Sequence, residues 1–150
     1  EFDRLLLAAA EALESGTPSR ALTALESALD LWRGEPLGGA TAPDWALRHQ
    51  DRVRSRYVDA SIRCAELLAA AGRPADALAR LDAALAADPW AERAHVTAIE
   101  IQLAAGDRAG AVGSLRRLDK VLAELGVGRD PATDTLARRL AGPGQPPAQP

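Results

Sequence analysis

The 150 residues are enough for one domain with a core, and 47% are apolar while only 3% are aromatic, a balance that favours helices and excludes a sheet protein. The net charge of −3 excludes strong DNA binding by the chain alone, because autonomous nucleic-acid-binding domains carry a basic excess. A lone cysteine, Cys64, excludes a disulfide framework or zinc site, and no apolar run reaches the roughly 18 residues of a membrane span.

A first helix is predicted at about 2–15 and a second at about 18–32. Between them stands Gly16-Thr17-Pro18-Ser19-Arg20-Ala21-Leu22, followed by Leu25, Ala28 and Leu29. The same spelling returns as Gly72-Arg73-Pro74-Ala75-Asp76-Ala77-Leu78, with Leu81, Ala84 and Leu85. It returns again as Gly106-Asp107-Arg108-Ala109-Gly110-Ala111-Val112, with Leu115, Leu118 and Leu122. The apolar spacing puts one stripe on one helix face, and the glycine ends the preceding helix in a left-handed conformation. Pro18 and Pro74 open the next helix, where a missing N–H costs little.

Between the first two copies, Gly34, Pro36, Gly38, Gly39 and Pro43 punctuate a loop, and a long helix is predicted at about 44–71. Gly72 and Gly106 lie 34 residues apart, the tetratricopeptide period. Further helices are predicted at about 74–87, 90–105, 108–125 and 131–140. Asp44, Asp88 and Asp107 stand as caps or flanks of helix starts. The fold class expected is all-α, a tetratricopeptide-like helical-repeat array of three helix pairs plus a short C-terminal helix. One domain spans 1–141, and 142–150, rich in Pro, Gln and Gly, is expected to be a disordered tail. The chain starts Glu1-Phe2 without an initiator Met and reads as a fragment of a longer, cytoplasmic protein with no signal peptide.

No catalytic, metal or cofactor constellation is spelled in the chain. His49 and His95 fall on separate helices without an i, i+4 partner and read as polar-face residues. Val53, Tyr57, Ala60, Cys64, Leu67 and Ala71 form the stripe of the long helix expected to face the core, with Cys64 a small core residue. Two features point to binding. Trp32, Arg33, Gly34, Pro36 and Leu37, with Trp45 beyond, put two of the three tryptophans around an irregular loop, and Trp is enriched at interface hot spots. Packing of a wedge opened by the loop explains the same tryptophans, and the two readings are compatible. Arg48, Arg52 and Arg56, spaced by four, line one face of the long helix and form a weaker candidate surface for an acidic partner or a phosphate backbone. Asp51, Asp59 and Glu66 on that helix make a solvated, self-paired face the simpler account.

Leu29-Asp30-Leu31-Trp32-Arg33-Gly34-Glu35-Pro36-Leu37 resembles the "AL-LWRG-PL" signature of bacterial transcriptional activation domains, the helical domains of the Streptomyces antibiotic regulatory proteins (SARP family). Trp45, Asp88-Pro89-Trp90-Ala91-Glu92-Arg93 and Ala123-Glu124-Leu125-Gly126-Val127, with Pro131 and Leu136, extend the resemblance over about 2–140. The resemblance implies a non-enzymatic activation and oligomerisation module without cofactor. It implies as partners an N-terminal winged-helix DNA-binding domain, RNA polymerase and a second copy in a homodimer, with DNA met through the missing domain or by weak backbone contacts, and secondary-metabolite genes as targets. Two alternatives stand beside it: a tetratricopeptide adaptor that captures a peptide, and a small-molecule sensor.

Overall fold

A computed structural model describes residues 1–34 and 42–142. Those residues are all-helical and contain no strand. The elements are α1 (Phe2–Glu14), α2 (Pro18–Asp30), α3 (Asp44–Ala70), α4 (Pro74–Ala87), α5 (Glu92–Ala104), α6 (Arg108–Leu125) and α7 (Pro131–Ala141). The tail expected to be disordered, and with it Pro36 and Leu37, lies outside the described residues apart from Gly142.

The repeated glycine does what its position requires. Gly16, Gly72 and Gly106 all have positive φ, +67°, +77° and +77°. In each case the next residue's N–H reaches back to the carbonyl five residues earlier: Thr17 to Ala12 at 2.8 Å, Arg73 to Leu68 at 2.9 Å, Asp107 to Gln102 at 2.8 Å. That is a Schellman ending, which satisfies carbonyls that the helix leaves open. The starts differ. Pro18 and Pro74 open α2 and α4 with no side-chain cap, whereas Asp107 caps α6 by accepting from the Gly110 N–H at 2.9 Å. Of the three expected aspartates, only Asp107 is a cap. Asp44 is the first residue of α3, and Asp88 ends α4 while accepting from the Trp90 N–H at 3.1 Å.

Two compact units divide between Ala94 and His95. In the first, α1 packs on α2, α2 on α3, and α3 on α4. The small residue five positions after each turn glycine, Ala21 and Ala77 here, is fully buried, and so is Leu81. A methyl group at such a position lets helix backbones approach closely enough for leucines to interlock. Cys64 lies in this core, and burial pushes its thiol up to about 11, with Arg80 the largest opposing influence.

In the second unit, Ile99 of α5, Ala111, Leu118 and Leu122 of α6, and Leu136 and Leu140 of α7 form the core. Buried Gln102 and Ser114 meet at 2.7 Å. With its nitrogen turned inward, the Gln102 amide also donates to the Gly110 and Ala98 carbonyls at 3.2 and 3.1 Å, so this polar pair is satisfied. His95 is buried at 5% exposure. That corrects its assignment to a polar face: it follows buried Ala94 on the inward side of α5.

Candidate functional site

α2 ends at Asp30, but Leu31 and Trp32 continue one turn further, their N–H groups donating to Ala28 and Leu29 at 3.2 and 3.0 Å. This turn delivers the Trp32 indole onto α3. It stacks on Tyr57 with ring centroids 4.2 Å apart and planes 18° from parallel. Tyr57 is itself buried, so the indole covers an aromatic already fixed in the core. Stacking of this kind contributes about 0.5–1.5 kcal/mol beyond the area it buries. Gly34 then takes φ +85°, a conformation cheap only without a Cβ.

Trp32 also lines a cleft of about 660 Å³. Phe2, Leu31, Trp32 and Val53 supply its apolar lining, Arg33, His49 and Arg56 its basic groups, and Glu1 and Asp3 two carboxylates at the α1 end; Glu1 is paired with Arg4 and Asp3 with Arg56. Arg56 is tied to Asp3 across the helices at 2.6 Å, with both side chains largely in solvent, so this pair positions more than it stabilises.

Next to the cleft, α3 begins with an overhang. None of its first nine residues, Asp44 to Arg52, is buried. Trp45 is 68% exposed and Leu47 44%. Trp45, Arg48, Arg52 and Arg56 follow at spacings of three, four and four, which aligns them on one face of the helix. Arg33, Arg48 and Arg52 have no ion-pair or hydrogen-bond partner among the described residues.

Of the candidates marked in the sequence, Trp32, Arg33, Gly34 and Arg56 therefore line one cleft. Trp45, Arg48 and Arg52 lie on the helix that flanks it, outside the lining. Tyr57 was expected in the core stripe of the long helix and is buried there, whereas Phe2 and Asp3 were not singled out and His49 was assigned only to a solvated face. For Phe2 the usable signal was composition, since it is the chain's single phenylalanine.

The described residues contain no cluster of His, Cys, Asp and Glu able to hold a metal ion. The cleft offers shape, apolar surface and charged groups of both signs, which equip it for recognition. A family model described as the bacterial transcriptional activator domain matches residues 1–141. The chain belongs to that family. No curated protein matches it significantly. The family is one of transcription activator domains. No described helix is long and apolar enough to cross a membrane.

Proposed function

We propose that this activator domain couples a winged-helix DNA-binding domain to RNA polymerase and to a second subunit in a cytoplasmic regulator of secondary-metabolite genes. The observation that carries the reading is the cleft beneath Trp32, seen together with the family match over 1–141. A half-exposed tryptophan locked on a buried tyrosine is a preorganised anchor, and preorganisation lowers the entropic cost of docking. The winged helix reads DNA, and the Trp32 cleft and Trp45 receive the neighbouring domain or subunit.

The test is promoter activation by the regulator that carries this chain. Arg33→Glu and Trp45→Ala alter exposed side chains and leave the Trp32–Tyr57 stack in place. We expect activation to fall by about tenfold, the effect of losing one interface contact, while the protein melts at an unchanged temperature. Unchanged activation by the double variant would remove this surface from the mechanism.

The peptide-adaptor reading is favoured by a separate groove of about 430 Å³ in the first unit, where Leu6, Ala10 and Leu13 of α1 face Asp59 and Arg63 of α3. Selection of a peptide that protects these residues, with no effect on any promoter, would support it in place of the first reading.

A further inference from the structure

We infer that the Trp32 cleft and the Trp45 ridge together take an acidic amphipathic protein segment, whose apolar side chains enter the cleft while its carboxylates lie over Arg33, Arg48 and Arg52. The inference rests on reading the cleft as a protein-docking site and adds the chemistry of the occupant.

Three observations converge. First, the ridge and the cleft are continuous: His49 and Arg56 line the cleft, and they flank Arg52 on the stripe that begins at Trp45. Second, the cations divide into two sets. Arg56 is paired with Asp3, and Arg63 with Glu66. Arg33, Arg48 and Arg52 have no partner among the described residues, in a chain where acidic residues outnumber basic ones by 21 to 18. Open arginines amid an acidic excess are the local complement of a carboxylate-bearing partner, which a guanidinium binds through two parallel hydrogen bonds. Third, large apolar side chains stand exposed among them: Leu31 at 44%, Trp45 at 68% and Leu47 at 44%.

The apolar share decides between two kinds of anion. A nucleic-acid backbone would satisfy the arginines but leave Trp45, Leu47 and the cleft without apolar contacts, while the repulsion of Asp44 and Asp51 acts on either anion and does not discriminate. An acidic amphipathic segment satisfies both sets of groups.

The experiment uses the 150-residue chain and two tryptophan-free synthetic peptides about 15 residues long, about four helical turns. Both carry the same Leu and Phe face; one has Glu and the other Lys on the polar face. Trp32 and Trp45 report binding by fluorescence. We expect the Glu peptide to bind at least about tenfold tighter at about 50 mM salt, with the difference shrinking at about 500 mM. The double variant Arg48→Glu with Arg52→Glu should reverse the preference, with an unchanged circular dichroism spectrum.

Equal or tighter binding of the Lys peptide would overturn the acidic occupant while leaving protein docking intact. So would a preference that survives the double charge reversal. Failure of both peptides to bind would also overturn it, whereas the docking reading itself stands or falls with the promoter test. Tight capture of a DNA duplex that the double variant abolishes would reassign the ridge to phosphate.

Discussion

Trp32 sits on the last turn after α2, where its N–H donates to the Leu29 carbonyl, and its ring is stacked on Tyr57. Trp32→Ala removes the stack and opens the cleft floor. Because the indole is only half-buried, the expected loss is about 2–4 kcal/mol, below the usual range for a fully buried tryptophan. Trp32→Phe keeps a ring on Tyr57 and should cost less than half of that in urea unfolding; equal losses would mean that stacking contributes nothing. Cys64 gives a second test at this scale. Its buried thiol is raised from the ordinary 9.0 to about 11, so above pH 9 the unfolded chain releases a proton that the folded chain keeps. Stability should therefore fall as pH rises from about 9 to about 11, by at most about 1.4 kcal/mol per pH unit from this group. Cys64→Ala should flatten that decline relative to the parent, and parallel alkaline profiles would exclude the thiol as its source. Trp32 was conspicuous in the sequence as one of few aromatics. Periodicity placed Tyr57 on the inward face of its helix, but the pairing of the two was not legible, because Tyr57 lies 25 positions away and periodicity reports which face a residue occupies but not what crosses it.

At the scale of elements, the third repeat begins its helix by a different device from the first two, and the difference is measurable. A Cβ on Gly110 would lie 2.1 Å from the Asp107 carboxylate that caps α6, so the glycine is the space in which the cap sits. Asp107→Ala should cost about 1 kcal/mol through loss of the cap. Gly110→Ala gains about 1 kcal/mol of helix propensity but displaces the carboxylate, so it should come out near zero in the parent and stabilising in the Asp107→Ala background. Additive effects across the cycle would show that the two residues are uncoupled. At the start of α7, Asp130 accepts from the Thr133 N–H at 2.7 Å, and this bond holds its carboxyl below the usual range. The folded-state value is depressed, so the cap contributes above the unfolded value of about 3.8 and is lost as pH falls through the folded one. Asp130→Ala should melt earlier than the parent at neutral pH and converge with it in acid; a constant gap would place the effect elsewhere. The glycine turns, the proline starts and the apolar stripe were legible in the sequence because each is a local rule, and every expected helix is present. What local rules could not give was the inward side of α5. His95, Thr97 and Gln102 are buried there among apolar neighbours, and polar residues on an inward face erase the periodicity that marks it.

For the whole molecule, charge sets what the activator domain does alone. Its basic residues are outnumbered, yet the start of α3 carries a stripe of arginines, which in isolation reads as a nucleic-acid footprint. Binding to duplex DNA is driven by counterion release and scales with the number of phosphates neutralised. Arg33, Arg48 and Arg52 are the open cations around the cleft, and three phosphate contacts give a logarithmic salt slope of only about −3. Against a net charge of −3, that leaves no useful affinity under cellular conditions. The 150-residue chain, at up to about 10 µM, should therefore fail to retard a duplex of about 20 base pairs at about 150 mM salt, and weak retardation should be confined to much lower ionic strength. The proposed division of labour depends on this result, since it assigns DNA reading to a separate winged helix and leaves this domain to contact proteins. Retardation that persists at about 150 mM salt would place a DNA-binding surface within these helices, and Arg48→Glu with Arg52→Glu would then show whether the arginine stripe supplies it.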